Sequence, residues 1–192
     1  APPRPHEAAR RVPPRRRARR FGSLPVGGAR VSGQLQRVDD RLSRGQVVIA
    51  YGERLRPQRI WVVDDAAASS EWERELLLSA APGIEVKVVT IAEAAATYAA
   101  EAGAPGGAFL LVRDLGAALA LAEAGAALTA LNLGGLHYAP GKTKVNEYIY
   151  LDDGDRARAR ALLARGVALE VQDVPGARAE PLTALDPASA PA

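Results

Sequence analysis

From Gln34 to Val174 the apolar positions change period in a regular alternation, short runs suited to strands giving way to longer runs at helical spacing. Gln34 to Val38 and Arg59 to Val63 read as strands, the second a β-branched and aromatic run closed by Asp64 and Asp65. Between them lies an apolar helical run, Val47 to Leu55. Ser70-Glu71-Trp72-Glu73 has the spacing of a capping box and opens a helix over Glu71 to Ala81, which Pro82-Gly83 stops. Glu85 to Val89 is the next strand. Thr90-Ile91-Ala92-Glu93 repeats the capping spacing ahead of an alanine-rich helix ending near Gly103. Ala108 to Val112 has the pattern of a buried strand, Asp114 caps a helix over Leu115 to Ala124, and Leu128 to Leu133 is a further strand. A glycine-rich connection, Gly134 to Thr143, leads to a strand over Asn146 to Leu151, a helix over Asp152 to Arg165 and a last strand over Val167 to Val174.

Strands separated by helices require right-handed crossovers, and these build a largely parallel sheet covered on both faces. The expected fold is therefore α/β, a single open, mostly parallel twisted sheet of about seven strands with helices on both faces. In such a sheet each strand-to-helix loop emerges at the carboxyl edge, and ligands bind where the strand order reverses. Asp39 to Gly45, Asp64 to Ser70, Arg113-Asp114 and Gly134 to Thr143 all fall on that rim.

Composition narrows the chemistry. With 192 residues, 48% hydrophobic and 24% charged, the chain has the makeup of one soluble globular domain. Cysteine is absent, which removes disulfides, thiolate metal sites and a cysteine nucleophile. Only His6 and His137 could supply imidazole, so no multi-histidine metal site is expected. No apolar run reaches the roughly 18 to 20 residues of a membrane span. The net charge of +3 divides unevenly: residues 1 to 30 hold nine arginines and one glutamate, or +8, which leaves −5 for the remainder. The basic pI therefore belongs to the N-terminal segment, and no nucleic-acid partner is expected for the folded domain. Residues 1–33, rich in proline, arginine and glycine, are expected to be a disordered extension, read as solvated charge, an electrostatic arm or a targeting peptide. A secretory signal is excluded by the lack of an apolar central region. The expected organisation is this extension, an α/β domain over 34–175, and a flexible tail over 176–192 that returns to proline, alanine and small polar residues.

The stretch with most chemistry is Arg37-Val38-Asp39-Asp40-Arg41-Leu42-Ser43-Arg44-Gly45-Gln46-Val47, which joins the first strand to the first helix and ends in glycine at the helix entrance. The first turn of a helix leaves N–H groups unpaired and carries the positive end of the macrodipole. A phosphoryl group there would be held by the amides of Gly45 and Gln46 and by Arg41 and Arg44. The acidic pairs Asp39-Asp40 and Asp64-Asp65 could suggest a receiver-type magnesium site, but that needs an aspartate after the third strand, where the chain has Thr90. They are read as loop-shaping, Asp40 pairing with Arg41 or capping its loop, and Asp64 and Asp65 shaping the second strand-to-helix turn. Lys142-Thr143 has the ending of a Walker motif, yet Gly135 to Gly141 is one residue too long and a strand follows. No cofactor is expected.

This loop resembles that of the IIB component of the mannose/fructose/sorbose class of the bacterial sugar phosphotransferase system, whose pattern reads roughly Arg-Ile-Asp-Asp-Arg-Leu-Ile-His-Gly-Gln-Val. Arg37, Asp39, Asp40, Arg41, Leu42, Gly45, Gln46 and Val47 match it, and Arg44 stands where the family has the histidine that carries the phosphoryl group. Further stretches resemble the family in the same order: Val62 to Asp65, Ser79 to Gly83, Leu131 to Gly135 with the Pro-Gly-Lys-Thr connection, and Gly166 to Pro175. The resemblance spans roughly Leu35 to Pro175. It implies a cytoplasmic subunit, peripheral to the inner face of the membrane, that takes a phosphoryl group from a IIA-type donor and passes it to a sugar entering through membrane IIC and IID components. It also implies that Arg41 helps to stabilise the transferring group. Arg44 cannot relay it, because guanidinium keeps its proton. His137 lies on the same rim and is an alternative acceptor; otherwise it is a loop histidine beside Tyr138. Three readings stay open: a IIB subunit in a relay, a phosphorylation-incompetent regulatory or binding module that docks a IIA-like partner or an anion, and a relic of the fold. The sugar is not indicated, and a homodimer is compatible with the mildly apolar rim.

Overall fold

The computed structural model describes residues 34–102, 108–174 and 176–191. The N-terminal extension expected over 1–33 lies outside the described residues.

Six strands run parallel in one sheet: β1 (Gln34–Asp39), β2 (Arg59–Val63), β3 (Glu85–Val89), β4 (Ala108–Val112), β5 (Ala130–Gly135) and β8 (Ala168–Val171). A short strand, β9 (Glu180–Pro181), adds antiparallel to β8, giving the order β3-β2-β4-β1-β5-β8-β9. Burial follows position. Every residue of β4, Ala-Phe-Leu-Leu-Val, is buried, as an apolar run in a central parallel strand requires, whereas the edge strand β3 alternates. Two short strands, β6 (Thr143–Lys144) and β7 (Tyr150–Leu151), pair antiparallel outside this sheet.

Alternate residues of the strands feed two cores. On one face Val38, Trp61, Leu110 and Leu133 pack with Tyr98 of α4 (Ile91–Ala102), Leu121 of α5 (Leu115–Glu123) and Leu162 of α6 (Asp153–Ala164). On the other, Leu35, Val62, Phe109 and Leu111 pack with Tyr51 of α1 (Gln46–Leu55), Ala67 of α2 (Asp65–Ser69) and Leu77 of α3 (Glu71–Ser79). The doubly covered, open parallel sheet is the fold the alternating periods imply. α1 leaves β1 on one face toward β2, while α6 leaves β5 on the opposite face toward β8. The strand order therefore reverses between the carboxyl ends of β1 and β5, where such sheets open a crevice. A register shift between Val38 and Asp39, the latter opposite Gly135, delivers Asp39 into that crevice.

Three local expectations are corrected. A helix forms over Asp65–Ser69 before α3, because Asp64 accepts from the Ala67 amide and starts it early. The segment Asn146 to Leu151 is not a strand of the main sheet. The Asn146 side chain accepts from the amides of Tyr148 and Ile149, at 3.0 and 2.8 Å, and folds the chain into a turn before β7. Residues after Gly176 are not wholly a frayed tail either. β9 joins the sheet, and Leu182, in α7 (Leu182–Leu185), is fully buried.

Candidate functional site

β1 carries an arginine through the middle of the sheet. Arg37 is fully buried, and its guanidinium donates to the Asn132 side chain, to the carbonyl oxygens of Gln172 (2.9 Å) and Asp173 (2.7 Å), and to the Asp39 carboxylate (2.8 Å). Its Cζ lies 4.6 Å from the centroid of the Tyr51 ring. Such a cation is tolerable only when its donors are met, and here β1, β5 and the end of β8 each supply an acceptor. Gly134 makes the passage possible, since a Cβ there would sit 1.6 Å from the Arg37 guanidinium.

Asp39, fully buried, takes both arginines. Arg41 donates Nε to one carboxylate oxygen and Nη2 to the other, each at 2.9 Å, in the two-pronged geometry that guanidinium and carboxylate share. Asp39 also accepts from the Arg41 amide and so caps the 3-10 turn over Asp40–Arg44. Burial on its own raises the Asp39 pKa, but the Arg41 hydrogen bonds and the charges of Arg37 and Arg41 outweigh it, leaving the carboxyl below its ordinary 3.8. The Arg41 pKa is raised in turn, chiefly by its hydrogen bonds to Asp39, and the side chain is 32% exposed. Burial pushes the Tyr51 hydroxyl up to about 12.

Asp40, expected to pair with Arg41 or cap its loop, does neither; Asp39 takes both roles. Asp40 reaches across the crevice instead. Its carboxylate accepts the His137 amide at 2.6 Å on one oxygen and lies 2.6 Å from His137 Nδ1 on the other. His137 follows β5, so this pair ties the two loops of the switch point together. Arg44 is the last residue of the 3-10 turn, and Gly45 closes it with φ 67, in the left-handed region that favours glycine. The Gly45 amide is committed to the Leu42 carbonyl at 3.1 Å, so it is not the ligand-facing amide the sequence suggested. Gln46 is exposed at the first position of α1.

Asp64 and Asp65 lie apart from this cluster. Asp64 caps α2 and accepts from Arg113 Nε, and its carboxyl is lowered: burial raises it, and the Arg113 and backbone hydrogen bonds overcome that. Asp65 accepts the Ile91 amide at 2.8 Å, which ties α2 to the start of α4. They line an open cleft of about 460 Å³ with Arg113, Asp114, Lys142 and Asp155. Lys142 is neutralised there by Asp155 at 2.8 Å. The cleft includes neither Asp40 nor His137. Among the described residues no group of three His, Cys, Asp or Glu is placed to hold a metal ion, and no helix is long and apolar enough to cross a membrane.

Sequence reasoning gave Arg37 no role and passed over Asn132 and Gln172. Their signal was a polar residue at a buried position in an otherwise apolar strand, as in Leu131-Asn132-Leu133 and Val171-Gln172.

Fold and cluster together define an open parallel α/β domain whose switch point holds a buried arginine–carboxylate core and an aspartate–histidine pair. The chain belongs to the family described as PTS system sorbose subfamily IIB component, which matches residues 33–188. The N-acetylgalactosamine-specific phosphotransferase enzyme IIB component 1 of Escherichia coli is 31% identical over 148 residues, covering 76% of this chain and 93% of that protein. The PTS system mannose-specific EIIAB component of the same species is 35% identical over 141 residues, 73% of this chain, but the chain spans only 44% of that relative. The solved structure of the IIBSor domain of the sorbose permease from Klebsiella pneumoniae superposes with a TM-score of 0.71 at 30% identity, covering 80% of this chain and 95% of that one.

Proposed function

We propose that this chain is a IIB-type subunit of a sugar phosphotransferase system, standing between a IIA-type phosphoryl donor and the membrane IIC and IID components, with a first loop that binds a phosphoryl group but cannot carry it. The observation that supports this reading is Arg41, fixed by two hydrogen bonds to buried Asp39 yet 32% exposed, beside a loop whose acceptor position holds Arg44. A guanidinium held in this way presents fixed positive charge to phosphoryl oxygens and needs no reorganisation to do so. Arg44 brings no free lone pair, so on this loop the nitrogen nucleophile is missing. The domain, not the arginine-rich 1–33, is the phosphoryl-handling unit, and it works at the inner face of the membrane where its partners meet.

The absence of a nitrogen nucleophile on the loop also favours a second reading, a regulatory or binding module that docks a phosphorylated IIA-like protein without relaying the group. Both readings require the same docking, so docking is the test. Titration with a phosphorylated IIA-type domain of the mannose class, followed by calorimetry, should show a complex that Arg41→Ala weakens by about tenfold, roughly 1.4 kcal/mol, and that added salt weakens as well. Equal affinity for phosphorylated and unphosphorylated donor, or no complex at all, would overturn both.

A further inference from the structure

We propose that His137 is the phosphoryl acceptor of this chain, a relay residue moved from the β1 loop to the facing β5 loop; this rests on the IIB-type reading above. Four observations carry it. The Asp40 carboxylate can only accept, so its contact with Nδ1 at 2.6 Å calls for a proton on that nitrogen, and in the neutral ring the lone pair is then on Nε2. The His137 amide donates to the other oxygen of the same carboxylate, also at 2.6 Å, so backbone and ring are held as a unit. The side chain is nonetheless 47% exposed, open to a partner protein. Finally, the missing side chain of Gly135 lets three groups converge: a Cβ there would lie 3.0 Å from Asp39 Oδ1, 3.1 Å from His137 Cε1 and 3.4 Å from Arg41 Nε. The imidazole and the fixed guanidinium are therefore neighbours across a glycine. No other histidine is found among the described residues, His6 lying in the 1–33 extension.

The step balances on these groups. The Nε2 lone pair of neutral His137 forms a bond to the phosphorus of a phosphohistidine on the donor, and the donor's N–P bond breaks. The donor imidazole, protonated on its other ring nitrogen, leaves neutral. The phospho-imidazolium formed on His137 keeps its Nδ1 proton, and its positive charge faces the Asp40 carboxylate. Arg41, across Gly135 from the ring, is the cation that would face the phosphoryl oxygens. Asp40 acts as a positioning residue, holding the tautomer and the charge while His137 makes the bond.

The test uses the full chain with a phosphorylated IIA-type domain of the mannose class, read by intact mass in alkaline solution and by phosphorus and nitrogen NMR. Wild type is expected to gain one phosphoryl group on Nε2, His137→Gln none, and Asp40→Asn to accept it on the order of 10- to 100-fold more slowly. Arg44→His, combined with His137→Gln, places a histidine on the first loop and separates the possible failures. If that double variant is phosphorylated while wild type is not, the His137 proposal is overturned and the IIB-type reading stands. If neither accepts the group, both fall. Phosphate found on Nδ1 would also overturn the proposal, since that nitrogen belongs to Asp40. His137 is half exposed, so its replacement leaves the core intact, and circular dichroism of each variant confirms the fold.

Discussion

At the scale of single residues, the unusual commitment of this chain is a buried arginine in a central strand. Arg37 is stable there because Asp39 neutralises it while the Asn132 side chain and the carbonyls from the end of β8 take its remaining donors. Gly134→Ala would place a methyl 1.6 Å from that guanidinium and force the cation from its acceptors. A loss of about 3 kcal/mol or more is expected in urea unfolding, of the order seen when a buried pair is broken. Asp39→Asn should cost a similar amount at neutral pH, with a distinctive acid dependence. Because the folded Asp39 pKa lies below the ordinary 3.8, its stabilisation is present above that value and is lost as pH falls through the depressed one. The stability gap between wild type and Asp39→Asn should therefore be constant near neutrality and close below about pH 4. A gap that persisted unchanged into strong acid would show that the Asp39 charge contributes little. The sequence displayed these residues without their partners: Arg37 lies 95 positions from Asn132 and 135 from Gln172, and no local pattern reports such a contact.

At the scale of elements, the helices and central strands were legible because each carries its own signal. Asp114 and Asp152 announce their helices by capping, the latter with Asp155 in a reciprocal capping box. What could not be read was decided by partners distant in sequence. Glu180-Pro181 has no strand pattern at all, being two exposed residues with a proline that cannot donate to a ladder. It is a strand only because β8 offers an open edge and Leu182 anchors the next residue in the core. This gives the C-terminal segment a covering role. Leu182→Ala should destabilise the domain by about 2 to 5 kcal/mol, measured by denaturant midpoint at constant slope. Truncation after Gly176 should expose the β8 edge and produce concentration-dependent association in size-exclusion chromatography. A truncated chain that stayed monomeric and kept its stability would assign β9 no protective role.

At the scale of the molecule, two cores share one sheet, and the site is built where the covering helices change sides. Arg37 comes from β1, Asn132 from β5 and the Gln172 carbonyl from the end of β8, so the cluster exists only while the central strands are paired. The fold class and the rim were readable in advance because periodicity and crossover geometry constrain both. The pairing of Asp40 with His137 was not, since it depends on which two loops flank the switch point, and strand order is not written in any one segment. One sheet serving both cores also predicts how the domain comes apart. Trp61 is buried in the core under α4, α5 and α6, whereas Trp72 is 70% exposed on α3. In a Trp72→Phe variant the fluorescence shift in urea reports the Trp61 core alone, while far-UV circular dichroism reports helices on both faces. The two curves should coincide, because neither helical layer keeps a partner once the sheet between them opens. A dichroism transition that precedes the Trp61 signal would mean instead that α1, α2 and α3 unfold from an intact sheet. The β1 loop and its Asp40 contact would then be lost before the core that positions His137.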